Sequence, residues 1–156
     1  ESEIMYNDVG EVSDEADYVI PLGKAHVKRP GTDVTVLSYS KSVHHAMGAA
    51  EALAKESVSV EVIDLRTLRP LDMETIKRSV RKTHRVVTVE ESWPYGGIGA
   101  ELAYRVQSEL FDELDAPVTR VTSLDVPMPY AENLEHLVLP NVADVVSAIN
   151  AVTYRS

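Results

Sequence analysis

Residues 85–110, RVVTVEESWPYGGIGAELAYRVQSEL, change their apolar period part-way along. Arg85 to Glu90 is a short β-branched run, the pattern of a buried strand. Ile98, Leu102, Val106 and Leu110 then recur at helical spacing and stack on one face. Gly96 and Gly97 make the turn that opens this helix. The same alternation extends both ways. Upstream, Val34 to Tyr39 reads as a strand, followed by a helix carrying Val43, Met47, Ala50 and Leu53 to about Glu56. Val58 to Leu65 is the next strand. Asp72, after Pro70, caps a helix with Met73, Ile76 and Val80 along one side. Downstream, Pro117 leads a strand over Val118 to Leu124, and a proline-rich loop follows (Val126 to Tyr130). Asn141 caps a last helix with Val142, Val145, Val146, Ile149 and Val152. Strands begin about 25 to 32 residues apart, the span of a βαβ unit. Such crossovers favour parallel pairing and a right-handed path, which predicts a three-layer α/β/α domain.

The flanks are less regular. Ala25 and Val27 mark a short extended segment, stopped by the turn Arg29-Pro30-Gly31. By spacing alone, residues 24–28 pair with 34–39 as a hairpin. Residues 1–16 are acidic, with one apolar group at Ile4-Met5-Tyr6, and read as a linker or the tail of a preceding domain. One compact domain is expected over 17–156. A chain opening on Glu1 is expected to belong to a longer polypeptide.

Composition narrows the function. Of 156 residues 44% are hydrophobic and 26% charged, the balance of a globular protein. With no cysteine there is no disulfide, thiolate metal site or cysteine nucleophile. Asp and Glu number 25 against 15 Lys and Arg, a net charge of −10. That charge repels phosphate backbones and anionic lipid surfaces, so neither nucleic acid nor a membrane is an expected partner. No apolar run approaches the roughly 20 residues of a membrane helix. A partner rich in arginine and lysine suits the chain better.

Gly96, Gly97 and Ile98 start a helix, where free N–H groups favour an anion. They match neither the dinucleotide fingerprint nor a Walker loop, and a tight turn with close packing is the other reading. Glu90 and Glu91 suggest an acid–base pair. As adjacent strand residues they point to opposite faces and cannot flank one atom. A single buried carboxylate accepting backbone hydrogen bonds is the alternative. His26, His44, His45, His84 and His136 lack metal-ligand spacing, and no G-x-S-x-G elbow occurs. Asp115 is by default a solvated loop carboxylate, or else an anchor for a basic partner. No complete active site emerges.

Several stretches carry a resemblance. They are Ile20 to Ala25 (IPLGKA), Gly31 to Thr35 (GTDVT), Val62 to Asp72 (VIDLRTLRPLD), Glu90 to Leu102 (EESWPYGGIGAEL), Leu114 to Pro117 (LDAP) and Asp125 to Ala131 (DVPMPYA). In order and spacing, from about residue 18 to the end, the chain resembles the C-terminal, transketolase-like domain of the β subunit of the pyruvate dehydrogenase decarboxylase component. Domains of acetoin and branched-chain 2-oxo acid dehydrogenases share the architecture, and DVPMPYA tips the likeness toward pyruvate.

The resemblance implies a five-stranded mixed sheet in the order 1-3-2-4-5, with the first strand antiparallel, which puts the third strand where spacing alone puts a hairpin. It implies an α2β2 oxidoreductase of a multienzyme complex, located in bacterial cytoplasm or mitochondrial matrix. That enzyme uses thiamine diphosphate and magnesium to decarboxylate pyruvate and acetylate lipoyl groups. The cofactor is held by the α subunit and by the β subunit's other domain, so this piece alone is expected to be inactive and to bind none. Implied partners are the α subunit, a second β subunit and the peripheral-subunit-binding domain of dihydrolipoyl acetyltransferase. The family's acidic docking residue falls on Asp115, within Asp115-Ala116-Pro117. A competing expectation comes from the fold: where the strand order reverses, a ligand belongs near Ser40, Ser42, Glu91 and Gly96-Gly97, as in a self-sufficient anion- or metabolite-binding domain.

Overall fold

A computed structural model describes residues 3–155. Five strands form one sheet: β1 (His26–Arg29), β2 (Val34–Ser38), β3 (Val60–Asp64), β4 (Val86–Val89) and β5 (Thr119–Val121). They lie in the order β1-β3-β2-β4-β5. All pairs are parallel except β1 with β3. The helices are α1 (Ser42–Ala54), α2 (Met73–Thr83), α3 (Ile98–Leu110), α4 (Glu132–Val138) and α5 (Val142–Val152).

The period of two along each strand builds both cores. Val34, Val36, Val60, Val62, Val87 and Val89 turn to one face and pack with α1 and α5 through Val43, Leu53, Val145 and Ile149. Leu37, Ile63 and Val86 turn to the other and meet Ile76 and Val80 of α2 and Leu102 and Val106 of α3. A sheet covered on both faces reads as continuous apolar strands, which is why β2 and β4 are buried throughout. Polar side chains on the α2 side are paired: the Thr35 hydroxyl lies 2.7 Å from that of Thr83. Glu61, 3% exposed, accepts from Lys82 and from the Gly31 backbone N–H.

The hairpin expected from spacing alone is replaced by the order the resemblance implies. β1 pairs with β3, His26 opposite Asp64 and Val27 opposite Ile63. Gly31 shows why. A Cβ there would lie 2.2 Å from the Glu61 nitrogen, so the turn is pressed against the start of β3. Thr32 and Asp33 both donate to the Ser59 carbonyl, at 3.1 and 2.8 Å. The chain therefore crosses over β3 before entering β2.

The anticipated caps hold their helices. Asp72 accepts from the Thr75 N–H at 3.1 Å, and Asn141 with Asp144 forms a reciprocal capping box on α5. Two features depart most from expectation. Only Thr119–Val121 of the 118–124 run pairs with β4, because the chain then leaves the sheet. The seven-residue helix α4 has no counterpart among the expected elements, because Leu134 and Leu137 are exposed and leave no apolar stripe.

Candidate functional site

The carboxyl end of β4 holds a dense polar arrangement. Glu90 is 1% exposed. Its Oε1 accepts from the Gly99 N–H at 2.9 Å and from Arg120 Nη2 at 3.1 Å. Its Oε2 accepts from the Tyr39 hydroxyl at 3.3 Å. Arg120 also donates to the Pro94 carbonyl at 2.9 Å. Burial first, then the Glu90 charge, pushes the Tyr39 phenol up to about 12, so it remains a donor.

The glycines follow from this carboxylate. A Cβ on Gly99 would lie 2.4 Å from Glu90 Oε1, and one on Gly97 would lie 2.7 Å from the same atom. Gly97 is the N-cap of α3 and Gly96, at φ +75°, makes the preceding turn. The anion nearest the Gly96, Gly97 and Ile98 helix start is thus the chain's own, placed where the helix dipole stabilises it. Glu91 points elsewhere, its Oε1 lying 3.6 Å from Lys41 Nζ at the start of α1. The two glutamates do not share a reacting atom. Sequence reasoning missed Arg120 and Tyr39; the one available signal was a lone arginine inside an apolar strand, which needs a buried counter-charge.

Asp115, Ala116 and Pro117 lie at the opposite edge of the sheet, on the loop entering β5. Their loop is pinned from three sides. The Asp115 N–H donates to the His84 carbonyl at 2.9 Å, and its carbonyl accepts from the Tyr154 hydroxyl at 3.0 Å. Its carboxylate Oδ2 lies 3.2 Å from Arg85 Nη2 and is half exposed. Because β4 and β5 are parallel neighbours, Arg85 and Asp115 precede them at the same edge. Ala116 is buried, whereas Phe111 and Pro117 face solvent. Gln107, Phe111, Leu114, Asp115, Ala116 and Pro117 line a shallow depression of about 380 Å³.

Among the described residues no three His, Asp or Glu side chains gather as a metal-binding set. The start of α3, moreover, is already served by Glu90.

Comparison with known proteins places these features in a family. The model of the transketolase C-terminal domain matches residues 23–145. The mitochondrial pyruvate dehydrogenase E1 component subunit beta of Dictyostelium discoideum is 48% identical over 159 residues, spanning 100% of this chain and 45% of that protein. The human mitochondrial subunit is 50% identical over 153 residues, 96% of this chain and 43% of its own length. The corresponding subunit of Rhizobium meliloti is 49% identical, covering 99% of this chain and 34% of that protein. The chain therefore spans less than half the length of these relatives. A split-gene transketolase solved as an inactive beta4 tetramer superposes with a TM-score of 0.77 at 31% identity, over 94% of this chain and 46% of that one. With its domain model, its fold and its whole-length likeness in agreement, this chain belongs to the family of transketolase C-terminal domains, and its relatives there are pyruvate dehydrogenase beta subunits.

Proposed function

We propose that the chain is the assembly and docking domain of the β subunit of a thiamine-diphosphate-dependent pyruvate dehydrogenase, with residues 1–16 as the tail of the preceding domain. Decarboxylation of pyruvate and acetyl transfer to lipoyl groups take place where the α subunit and the rest of the β subunit hold the cofactor and its magnesium. This domain contacts the α subunit and a second β subunit, in bacterial cytoplasm or mitochondrial matrix. Asp115-Ala116-Pro117 receives the peripheral-subunit-binding domain of the acetyltransferase.

The observation that carries this reading is the contrast between two carboxylates. Glu90 is wholly consumed by internal partners, whereas Asp115 is held rigidly by its loop yet keeps its charge at the surface, beside the exposed ring of Phe111. On a chain of net charge −10 this surface suits a basic partner, and complementarity of that kind governs steering and register.

Calorimetric titration of the peripheral-subunit-binding domain into enzyme assembled with this chain tests it. Asp115→Asn is expected to weaken binding about tenfold, ~1.4 kcal/mol, and added salt to weaken it further. Unchanged affinity removes Asp115 from the docking surface. Separately, the chain alone, given pyruvate, thiamine diphosphate and magnesium, is expected to release no carbon dioxide. Turnover there would defeat the reading.

A further inference from the structure

At the carboxyl edge of the sheet, where the strand order reverses between β2 and β4, lies a cavity of about 420 Å³. Tyr39, Ser40, Ser42, Arg66, Leu68, Glu91 and Ser92 line it. It shares Tyr39 with the Glu90 cluster and lies on the opposite edge from Asp115, so it stands apart from the docking reading.

Its walls carry polar groups that the protein only partly satisfies. The Ser42 side chain is 2% exposed, and its hydroxyl has no partner among the described residues. Glu91 Oε1 is also buried without a hydrogen bond, in an ion pair with Lys41 Nζ at 3.6 Å. A polar atom in that condition costs free energy unless something completes it. The Arg66 guanidinium likewise has neither ion pair nor hydrogen bond among the described residues. Helix α1 begins here with no side-chain cap and no acid in its first turn, its Val43 and His44 N–H groups donating to the Ser40 and Lys41 carbonyls at 3.2 and 2.9 Å. Ser40 at φ 54° and Arg66 at φ 55° are both left-handed, an uncommon conformation for side chains of this kind, repeated on two adjacent strand ends beside one cavity.

We propose that this cavity binds a small hydroxylated oxyanion, a hydroxy acid or phosphate monoester of a few carbons. Arg66 and the Ser42 hydroxyl take the oxyanion. Glu91 accepts from a ligand hydroxyl, with Lys41 Nζ 3.6 Å from the same oxygen to balance its charge. The Glu91 carboxylate makes the hydroxyl a requirement, because a bare anion gains nothing from it and is repelled.

The test is calorimetry and amide NMR on the full chain with glycerate, glycerol 3-phosphate and inorganic sulfate. At least one hydroxylated compound is expected to bind saturably and more tightly than sulfate, shifting amides of residues 40–42, 66 and 92. The two compounds distinguish a carboxylate from a phosphate ester. Arg66→Gln is expected to weaken binding about tenfold. Ser42→Ala is expected to weaken it about threefold. Arg69→Gln, on the neighbouring cavity, leaves it unchanged. The shift map of the unsubstituted chain stands whatever the variants do to folding. Absence of saturable binding, preference for sulfate, shifts centred on the start of α3, or full affinity in Arg66→Gln would each overturn the proposal.

Discussion

Gly96 and Gly99 are glycines for different reasons, and the difference is measurable. Gly96 has no atom within 4 Å of where a Cβ would sit, yet its φ is +75°. Alanine there pays only for the left-handed backbone, about 1 kcal/mol. Gly99 has an ordinary backbone, but its Cβ would lie 2.4 Å from Glu90 Oε1 and 2.9 Å from Thr88 Oγ1. Alanine at 99 must displace a carboxylate already bound to Arg120, which overpacks a buried polar site. Urea unfolding is expected to show Gly99→Ala destabilised by about 2–3 kcal/mol, clearly more than Gly96→Ala. Equal losses would mean that the carboxylate is free to move. The glycine cluster was legible as a helix start. That its occupant is Glu90 was not, because two residues near in sequence meet only after strand and helix have packed.

Among the elements, β1 depends on a helix cap. Asp72 Oδ1 accepts from the Thr75 N–H at 3.1 Å, while Oδ2 accepts from the Thr75 hydroxyl at 2.8 Å and the Ala25 N–H at 3.0 Å. One carboxylate thus caps the start of α2 and ties down the entry to the edge strand. Asp72→Ala is expected to cost about 2 kcal/mol, a lost cap plus a lost long-range bond. Hydrogen exchange should quicken at β1 more than at β3, and Asp72→Asn, which keeps one acceptor, should recover part of the loss. Protection at β1 unaffected by Asp72→Ala would show that pairing with β3 suffices. The cap was readable from Pro70-Leu71-Asp72 alone. Its second bond was not, since it spans 47 residues. Helix α4 lies at the other extreme: with Val138 its single buried residue, it is held by its place between turns and leaves no pattern to read.

For the whole molecule, acid stability follows from three groups. Burial pushes the His45 imidazole below its ordinary 6.5, with Lys41 adding to the effect. A group that resists protonation when folded leaves stability intact above 6.5 and erodes it as pH falls below that value. Burial opposes ionisation of Glu61, but hydrogen bonds from Lys82, Ser79 and Gly31 outweigh it and hold the carboxyl below its ordinary 4.5. Asp72 is held below its ordinary 3.8 in the same way, burial being outweighed by bonds from Thr75 and Ala25. Their contributions are complete above those ordinary values and vanish as pH falls through the folded ones. Unfolding midpoints should therefore be level near neutrality, decline gently below 6.5 and drop steeply below about 4.5. His45→Gln should flatten the gentle decline alone. A midpoint that rises on acidification from 7 to 5 contradicts this account.

What the sequence by itself determined is local: which segments are strands or helices, where Asp72 and Asn141 cap, and that α and β alternate. Apolar period and capping chemistry act within a few residues, so they are visible in any window of chain. Strand order came from the likeness to a family, since residue spacing alone favoured a hairpin that Gly31 prevents by lying against β3. The tertiary structure alone decided the meetings of Glu90 with Arg120 and Tyr39, of Arg85 with Asp115, and of Arg66 with Ser42 around one cavity. The two partners of each meeting sit on different segments of chain, and only the packing order of parallel strands brings their ends together.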